Sequence, residues 1–387
     1  MISLFVCSIC LAILVGEFGV RLTGVVKDRS DTFYQTDAVL HHRFIPGKTG
    51  SYISPKGEFS TEIAVNRLGL RDDDFPIEKP DGVDRILLLG DSFLAALEVP
   101  VEHTVGHQLE GILNKKRSSG EPARYEVINT GHSSYSPILQ YLYLNKYGLA
   151  MSPDVVIVCF AANDVTDDYK YGKMAEFDVT GLPVPVKGPA EPKVEYGLPV
   201  PFKEFFRDHS KLYLLLRESW HLIQLRMLGE PDWKNDQHQK HLRTNDLRSD
   251  PFAIFKQNLS HQEEKAWQAT ERYLSGIVEP CWNLGIPIIL AVIPEPHQIN
   301  DWEWRSGKQV WGFAPQEMIQ HHAMQDRLRR FGERYDVPVI DPISEFQNAS
   351  GDDVLFFDYD GHFTAYGHGV FAQVLYEAVV DFGGLVP

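Results

Sequence analysis

Four short blocks carry residues that together could perform acyl chemistry. Gly90-Asp91-Ser92-Phe93 closes an apolar run, 85–90 (RILLLG), and sets a serine just beyond it. A serine hydroxyl is a weak nucleophile at neutral pH; it needs a base within hydrogen-bond reach and a third group to orient that base. Such a base stands near the C-terminus in Asp358-Tyr359-Asp360-Gly361-His362. A carboxylate two residues before an imidazole can fix its tautomer and stabilise the imidazolium as it forms. Two further blocks end in groups suited to an oxyanion. Ile128-Asn129-Thr130-Gly131-His132 offers the backbone N–H of Gly131, with no side chain in the way. Phe160-Ala161-Ala162-Asn163-Asp164 offers the Asn163 amide. Donors of this kind stabilise a tetrahedral oxyanion by roughly 3–4 kcal/mol each. Taken singly, each block is also an ordinary turn or cap.

These residues act together only if one scaffold brings them to a common edge. The runs 85–90, 126–129, 154–160, 286–293 and 337–340 are short and mostly apolar. Strands apolar on both faces suit a parallel sheet covered by helices on both sides. Amphipathic stretches at 103–116, 137–150, 261–284 and 316–335 supply those helices. The alternation predicts a three-layer α/β/α domain with a mainly parallel five-stranded sheet. In such sheets ligands bind outside the carboxyl ends of the strands, where Ser92, Gly131 and Asn163 all fall.

Three segments are expected: an apolar helix over 1–24, a small β-rich extension over 30–80, and an α/β domain over 81–387. An insertion at about 167–250 interrupts the last, with prolines clustered in 182–201 and a helix over about 208–228. The first sixteen residues hold no charge, and Glu17 alone interrupts the apolar run to Val20. About 20 apolar residues span a bilayer. The segment lacks a basic n-region and an A-x-A cleavage site, which favours an anchor over a signal peptide. A membrane-anchored chain with its catalytic domain outside the cytoplasm is the expectation, with a secreted chain, or an N-terminal helix packed on its own domain, as the alternatives. On charge bias alone, Arg21, Lys27 and Arg29 would hold their side in the cytoplasm.

The 387 residues carry 53 acidic and 37 basic side chains, a net charge of −16, which argues against nucleic acid as a partner. With four cysteines there is no disulfide scaffold; Cys159 and Cys281 read as small core residues. There is no phosphate-cradling glycine loop, and the chemistry requires neither metal nor cofactor. The oligomeric state is not legible.

The order Ser92, Gly131, Asn163, His362, each after the right kind of element, resembles the SGNH (GDSL-type) hydrolase superfamily over about 85–170 and 285–383. The phrase Asn66-Arg67-Leu68-Gly69-Leu70-Arg71-Asp72 resembles the extension of its membrane-anchored members. The resemblance implies Ser92 as nucleophile, His362 as base and then acid, and Asp360 as its orienting partner, with Asp358 the alternative. It implies an oxyanion hole from the N–H groups of Ser92 and Gly131 and the Asn163 amide. It implies a serine-dependent ester hydrolase acting through an acyl-enzyme on a carbohydrate or lipid ester. O-acyl transfer would use the same residues, and an inactive binding module would keep only the fold. Phe93 stands where the namesake motif has leucine, Ala162 where glycine is usual, and Tyr359 where many members carry the aspartate.

Other residues have plainer readings. His103 and His107 have metal-compatible spacing but no third ligand, so they read as a surface or partly buried pair. His238 and His241 read as solvent-facing, and Glu98 as a solvated charge. His297 sits at the active edge and could touch substrate. His132 and His368 could compete as bases. Tyr135, Tyr169, Tyr171 and Phe205 could line a pocket, with local packing the simpler role.

Overall fold

The computed structural model describes residues 2–23, 32–115, 125–188, 210–213, 215–216, 255, 258–310, 322–351 and 353–384. The chain divides into two compact units: Met1–Arg29 with Glu191–Lys240, and Ser30–Ala190 with His241–Pro387.

The larger unit is built on five parallel strands: β5 (Asp84–Leu89), β6 (Tyr125–Asn129), β7 (Val155–Phe160), β10 (Ile288–Val292) and β11 (Val339–Ile340), in the order β11-β10-β7-β5-β6. Successive side chains along these strands enter opposite layers. Leu87, Leu89, Val156, Val158, Leu290 and Val292 join one core. Ile86, Leu88, Val155, Ile157, Ile289 and Ala291 join the other. Both faces are thus buried, which is why these runs carry almost no polar residue. The first core is closed by α4 (Pro137–Tyr143), α6 (His261–Asn283) and α9 (Ala323–Tyr335). The second is closed by α3 (Val105–Lys115), α10 (Ile343–Ala349) and α11 (Ala365–Phe382). The chain folds as the three-layer α/β/α domain that the alternation predicts.

Helix starts follow local chemistry. Ser260 and Glu263 form a reciprocal capping box at α6. Thr364 Oγ1 accepts the Gly367 N–H at the start of α11. The 137–150 stretch differs from the expected single helix: α4 ends at Tyr143, and Leu144–Gly148 continues as a π turn before Leu149–Met151 tightens to 3-10.

Two antiparallel hairpins form the extension: β1 (Tyr34–Asp37) with β2 (His41–Phe44), and β3 (Thr49–Ile53) with β4 (Ser60–Ala64). A third hairpin, β8 (Ala175–Phe177) with β9 (Pro183–Val186), follows α5 (Asp164–Gly172) and opens the inserted region. His238, His241, Phe205 and most of the helix expected at 208–228 lie outside the described residues.

In the smaller unit, α1 (Ile2–Thr23) forms where the apolar run predicts it. The spanning role expected of it is not supported: among the described residues no helix is long and apolar enough to cross a membrane. Its one acidic residue has a local task. The Glu17 carboxylate accepts the backbone N–H groups of Lys211 (3.0 Å) and Leu212 (2.9 Å), the Ser210 hydroxyl (2.8 Å) and Arg21 Nε (2.7 Å). It closes the first turn of the helical residues that follow Ser210.

Candidate active site

Ser92 opens α2 (Ser92–Ala95) immediately beyond β5. Asp91 caps that helix, its carboxylate accepting the Phe93 N–H at 3.0 Å. The serine is thereby fixed at the carboxyl edge of the sheet. From the loop before α11, His362 reaches the same edge. Its Nε2 lies 2.8 Å from Ser92 Oγ, and its Nδ1 lies 2.5 Å from Asp360 Oδ1. Asp360 also accepts the backbone N–H of His362, at 3.3 Å. Asp358 instead accepts the Ser306 N–H at 3.0 Å, so the residue facing the imidazole is Asp360. Gly361, between Asp360 and His362, has φ +89° and presses on the Trp304 ring, so a side chain there would be both strained and crowded.

Ser92, Phe93, Asn163, Glu295, Trp304 and His362 are among the residues lining a pocket of about 230 Å³, with Asp360 and Gly361 at its wall. Asn163 heads α5, and its Nδ2 donates to Asp167 at 3.0 Å. The turn that presents it is held by Asp164, which accepts the Ala161 N–H at 3.0 Å. Gly131 is placed differently. It does not line this pocket, and its N–H is donated to Asn129 Oδ1 at 3.0 Å. A Cβ at Gly131 would stand 2.4 Å from Leu94 Cβ and 2.6 Å from Ala95 N, so its bareness lets α2 pack against the end of β6.

Several residues the site uses were not anticipated. Glu98 is buried rather than solvated, and its Oε1 lies 3.7 Å from His362 Nδ1. Glu295 brings a carboxyl into the pocket, pushed up to about 7 by burial and by the Asp91 charge. Trp304 forms a wall, braced by the edge of His297 at 4.7 Å. His297 is itself buried behind that wall and lines no part of the pocket.

Charge is concentrated on the imidazole. Burial works against its charged form, but the carboxylates of Glu98, Asp360 and Asp91 outweigh it and push His362 up to about 10. Burial would raise Asp360, yet the hydrogen bond and charge of His362 hold it below the usual carboxylate range. Glu98, Asp360 and His362 each offer an atom within 4.8 Å of the others, a donor set of the kind that holds cations. Here both ring nitrogens are engaged, Nδ1 by Asp360 and Nε2 by Ser92, which suits proton transfer.

The other candidate bases are out of play. His132 and His368 are fully buried, line no part of the pocket, and are driven down to about 3 by burial. Tyr135 stacks on His132 at 4.4 Å and donates to the His42 carbonyl at 2.6 Å. Tyr171 packs on His41, and Tyr169 bonds Gln262; none of the three lines the pocket. His107 faces Asp72 and Asp73 at 3.8 and 3.5 Å.

No family model matches the chain, and no curated protein matches it. Solved structures do. An acetyl xylan esterase, AlAXEase, is 16% identical with a TM-score of 0.40, over 76% of this chain and 99% of that one. A lipase/acylhydrolase from Enterococcus faecalis is 15% identical with a TM-score of 0.38, over 77% and 95%. An acetyl-xylooligosaccharide esterase from Geobacillus is 12% identical with a TM-score of 0.39, over 78% and 95%. At these identities and scores the likenesses assign neither family nor substrate to this chain.

Proposed function

We propose that the protein is a serine-dependent ester hydrolase of the SGNH type. The observation that carries the reading is the unbroken chain Ser92 Oγ–His362 Nε2–Asp360, at 2.8 and 2.5 Å, opening on a pocket that also holds the Asn163 amide. In the neutral imidazole, Nδ1–H donates to Asp360 and Nε2 accepts the serine proton. Ser92 Oγ then attacks the ester carbonyl, and the Asn163 amide, which lines the same pocket and now donates to Asp167, is the side-chain donor assigned to the oxyanion. The imidazolium returns its Nε2 proton to the departing alkoxide, leaving an acyl-serine. Water, deprotonated by the same imidazole, adds to the acyl carbon; the bond to Ser92 Oγ breaks, Nε2–H returns the proton to that oxygen, and the acid leaves.

A small acyl group, such as acetyl, on a carbohydrate or lipid alcohol suits a pocket of this size. The localisation we propose is attachment to a lipid surface, supported by the exposed apolar side chains of Leu11, Ile13, Leu14, Val15, Phe18 and Leu22 on α1. Co-sedimentation of the chain with vesicles tests it, and recovery wholly in the supernatant rejects it.

The enzymatic test compares the purified full chain with Ser92→Ala on a chromogenic acetate ester, with and without an oligosaccharide acceptor. The variant is expected to lose activity by about three orders of magnitude or more. Equal rates would remove Ser92 from the mechanism. Acetylated oligosaccharide among the products would make the enzyme an acyltransferase on the same residues.

A further inference from the structure

Glu98 stands in an unusual position for a carboxylate. It follows α2 through Ala96, which turns the chain at φ 49° and ψ 46°. The turn is held from outside: Thr61 Oγ1 donates to the Glu98 carbonyl at 2.9 Å, and the buried Arg71 guanidinium binds the carbonyls of Ala95, Ala96 and Val99. The Glu98 side chain is 4% exposed. Its Oε1 lies 3.7 Å from His362 Nδ1, and its Oε2 has no hydrogen-bond partner among the described residues. The buried carboxylates nearby each accept one backbone N–H, Asp91 that of Phe93, Asp164 that of Ala161 and Glu98 its own. Burying a carboxylate costs several kcal/mol unless something answers its charge. For Glu98 the nearby cationic groups are His362 and Arg71; Asp360, Tyr34 and Tyr52 are the other titratable groups facing it.

We propose that Glu98 is a positioning residue of the Ser92 site, a second carboxylate facing the Nδ1–H of His362 that sets the pH range in which this imidazole acts as a base. The inference rests on the reading of Ser92, His362 and Asp360 given above. No bond to Glu98 forms or breaks in the reaction. The serine proton still passes to Nε2 and from there to the leaving alkoxide, while Nδ1–H stays between Asp360 and Glu98. With both carboxylates ionised, the imidazolium is favoured before substrate arrives, and attack waits for its deprotonation. Burial favours the neutral Glu98 carboxyl, opposed by the His362 charge. Glu98 is also near enough to take over the Nδ1–H when Asp360 cannot hold it.

The test measures kcat/KM against pH for the full chain, using the chromogenic acetate ester. Glu98→Gln removes the charge and keeps the shape. Its rising limb is expected about one pH unit or more below that of the wild type, with KM little changed. Glu98→Asp, which withdraws the charge by one methylene, should fall between the two. Asp360→Asn should retain residual activity, and Asp360→Asn with Glu98→Gln should lose at least about tenfold more. Superimposed limbs for wild type and Glu98→Gln, or a double variant no worse than Asp360→Asn, would overturn the proposal. Should Glu98→Gln fail to fold, Glu98→Asp carries the same test, because an unshifted limb there also overturns it. A Ser92→Ala variant as active as wild type would instead remove the underlying reading, and the role of Glu98 with it.

Discussion

The carboxylate of Glu58, at the turn of the β3–β4 hairpin, accepts the backbone N–H of Tyr359 at 2.8 Å, across 301 residues of chain. It also accepts the N–H of Asp360 at 3.1 Å. A half-buried side chain of the extension therefore fixes the loop that presents Asp360 to His362. Replacing Glu58 by alanine should lower kcat about tenfold through misplacement of Asp360 and His362, with KM nearly constant. Stability should change by only about 1 kcal/mol, because the carboxylate is half-buried and the two N–H groups it releases lie in a solvent-accessible loop. Steady-state kinetics beside a urea melt would show it; an unchanged kcat would mean that the loop holds its shape unaided.

Arg71 plays the complementary part for the helix that begins at Ser92. It is 1% exposed and spends its guanidinium on the carbonyls of Ala95, Ala96 and Val99, the turn that ends the Ser92 helix. Methionine would fill the space and leave the Ala95 and Val99 carbonyls without the donor they have now, at about 1–3 kcal/mol each, while Ala96 keeps the Val99 N–H. Arg71→Met is therefore expected to lose at least about 2 kcal/mol in urea unfolding. It should also lose about a hundredfold in kcat/KM as Ser92 drifts from His362. A variant that unfolds early yet turns over normally would show that the clamp is structural alone.

The parts of the fold legible in the sequence are those set by local pattern. Runs such as 85–90 and 154–160 announce buried strands because both of their faces are apolar, and Ser92 and Asn163 are legible because each stands just past such a run. Asp360, two residues before His362, is favoured over Asp358 by its position, and it is Asp360 that meets the imidazole while the Ser306 N–H occupies Asp358. Glu98 looked like a surface charge because nothing nearby in sequence buries it. The residues that do, Thr61 and Arg71, lie 37 and 27 positions away and act through backbone carbonyls, which leave no side-chain signature. Trp304 and Glu295 reach the pocket from segments whose own patterns show only a loop and a short helix.

Gly131 and Asn163 should separate cleanly in experiment. Asn163→Ala removes an amide from the pocket and is expected to cut kcat by about 10²–10³ while leaving stability nearly unchanged. Gly131→Ala drives a methyl into Leu94 and Ala95 and must displace the Ser92 helix, so it should lose about 1–3 kcal/mol as well as activity. Denaturant midpoints measured beside kcat distinguish the two. A Gly131→Ala enzyme of full stability but low kcat would return Gly131 to the role of oxyanion donor.

His368 makes the fold sensitive to acid. It is fully buried on α11, and neither ring nitrogen has a hydrogen-bond partner among the described residues. Burial, followed by the charges of Arg71 and His362, holds it down to about 3, against about 6.5 in an unfolded chain. As pH falls below about 6.5 the unfolded chain takes up a proton that the folded one refuses, so stability is lost until pH nears 3. Each such histidine contributes a slope of up to about 1.4 kcal/mol per pH unit in that window. His132 and His297 are held down to about 3 in the same way and add to it. His368→Leu should therefore flatten the dependence of unfolding free energy on pH between about 6 and 4 by roughly one proton's worth. Urea melts at several pH values would measure it, and an unchanged slope would mean that His368 takes up its proton inside the folded protein.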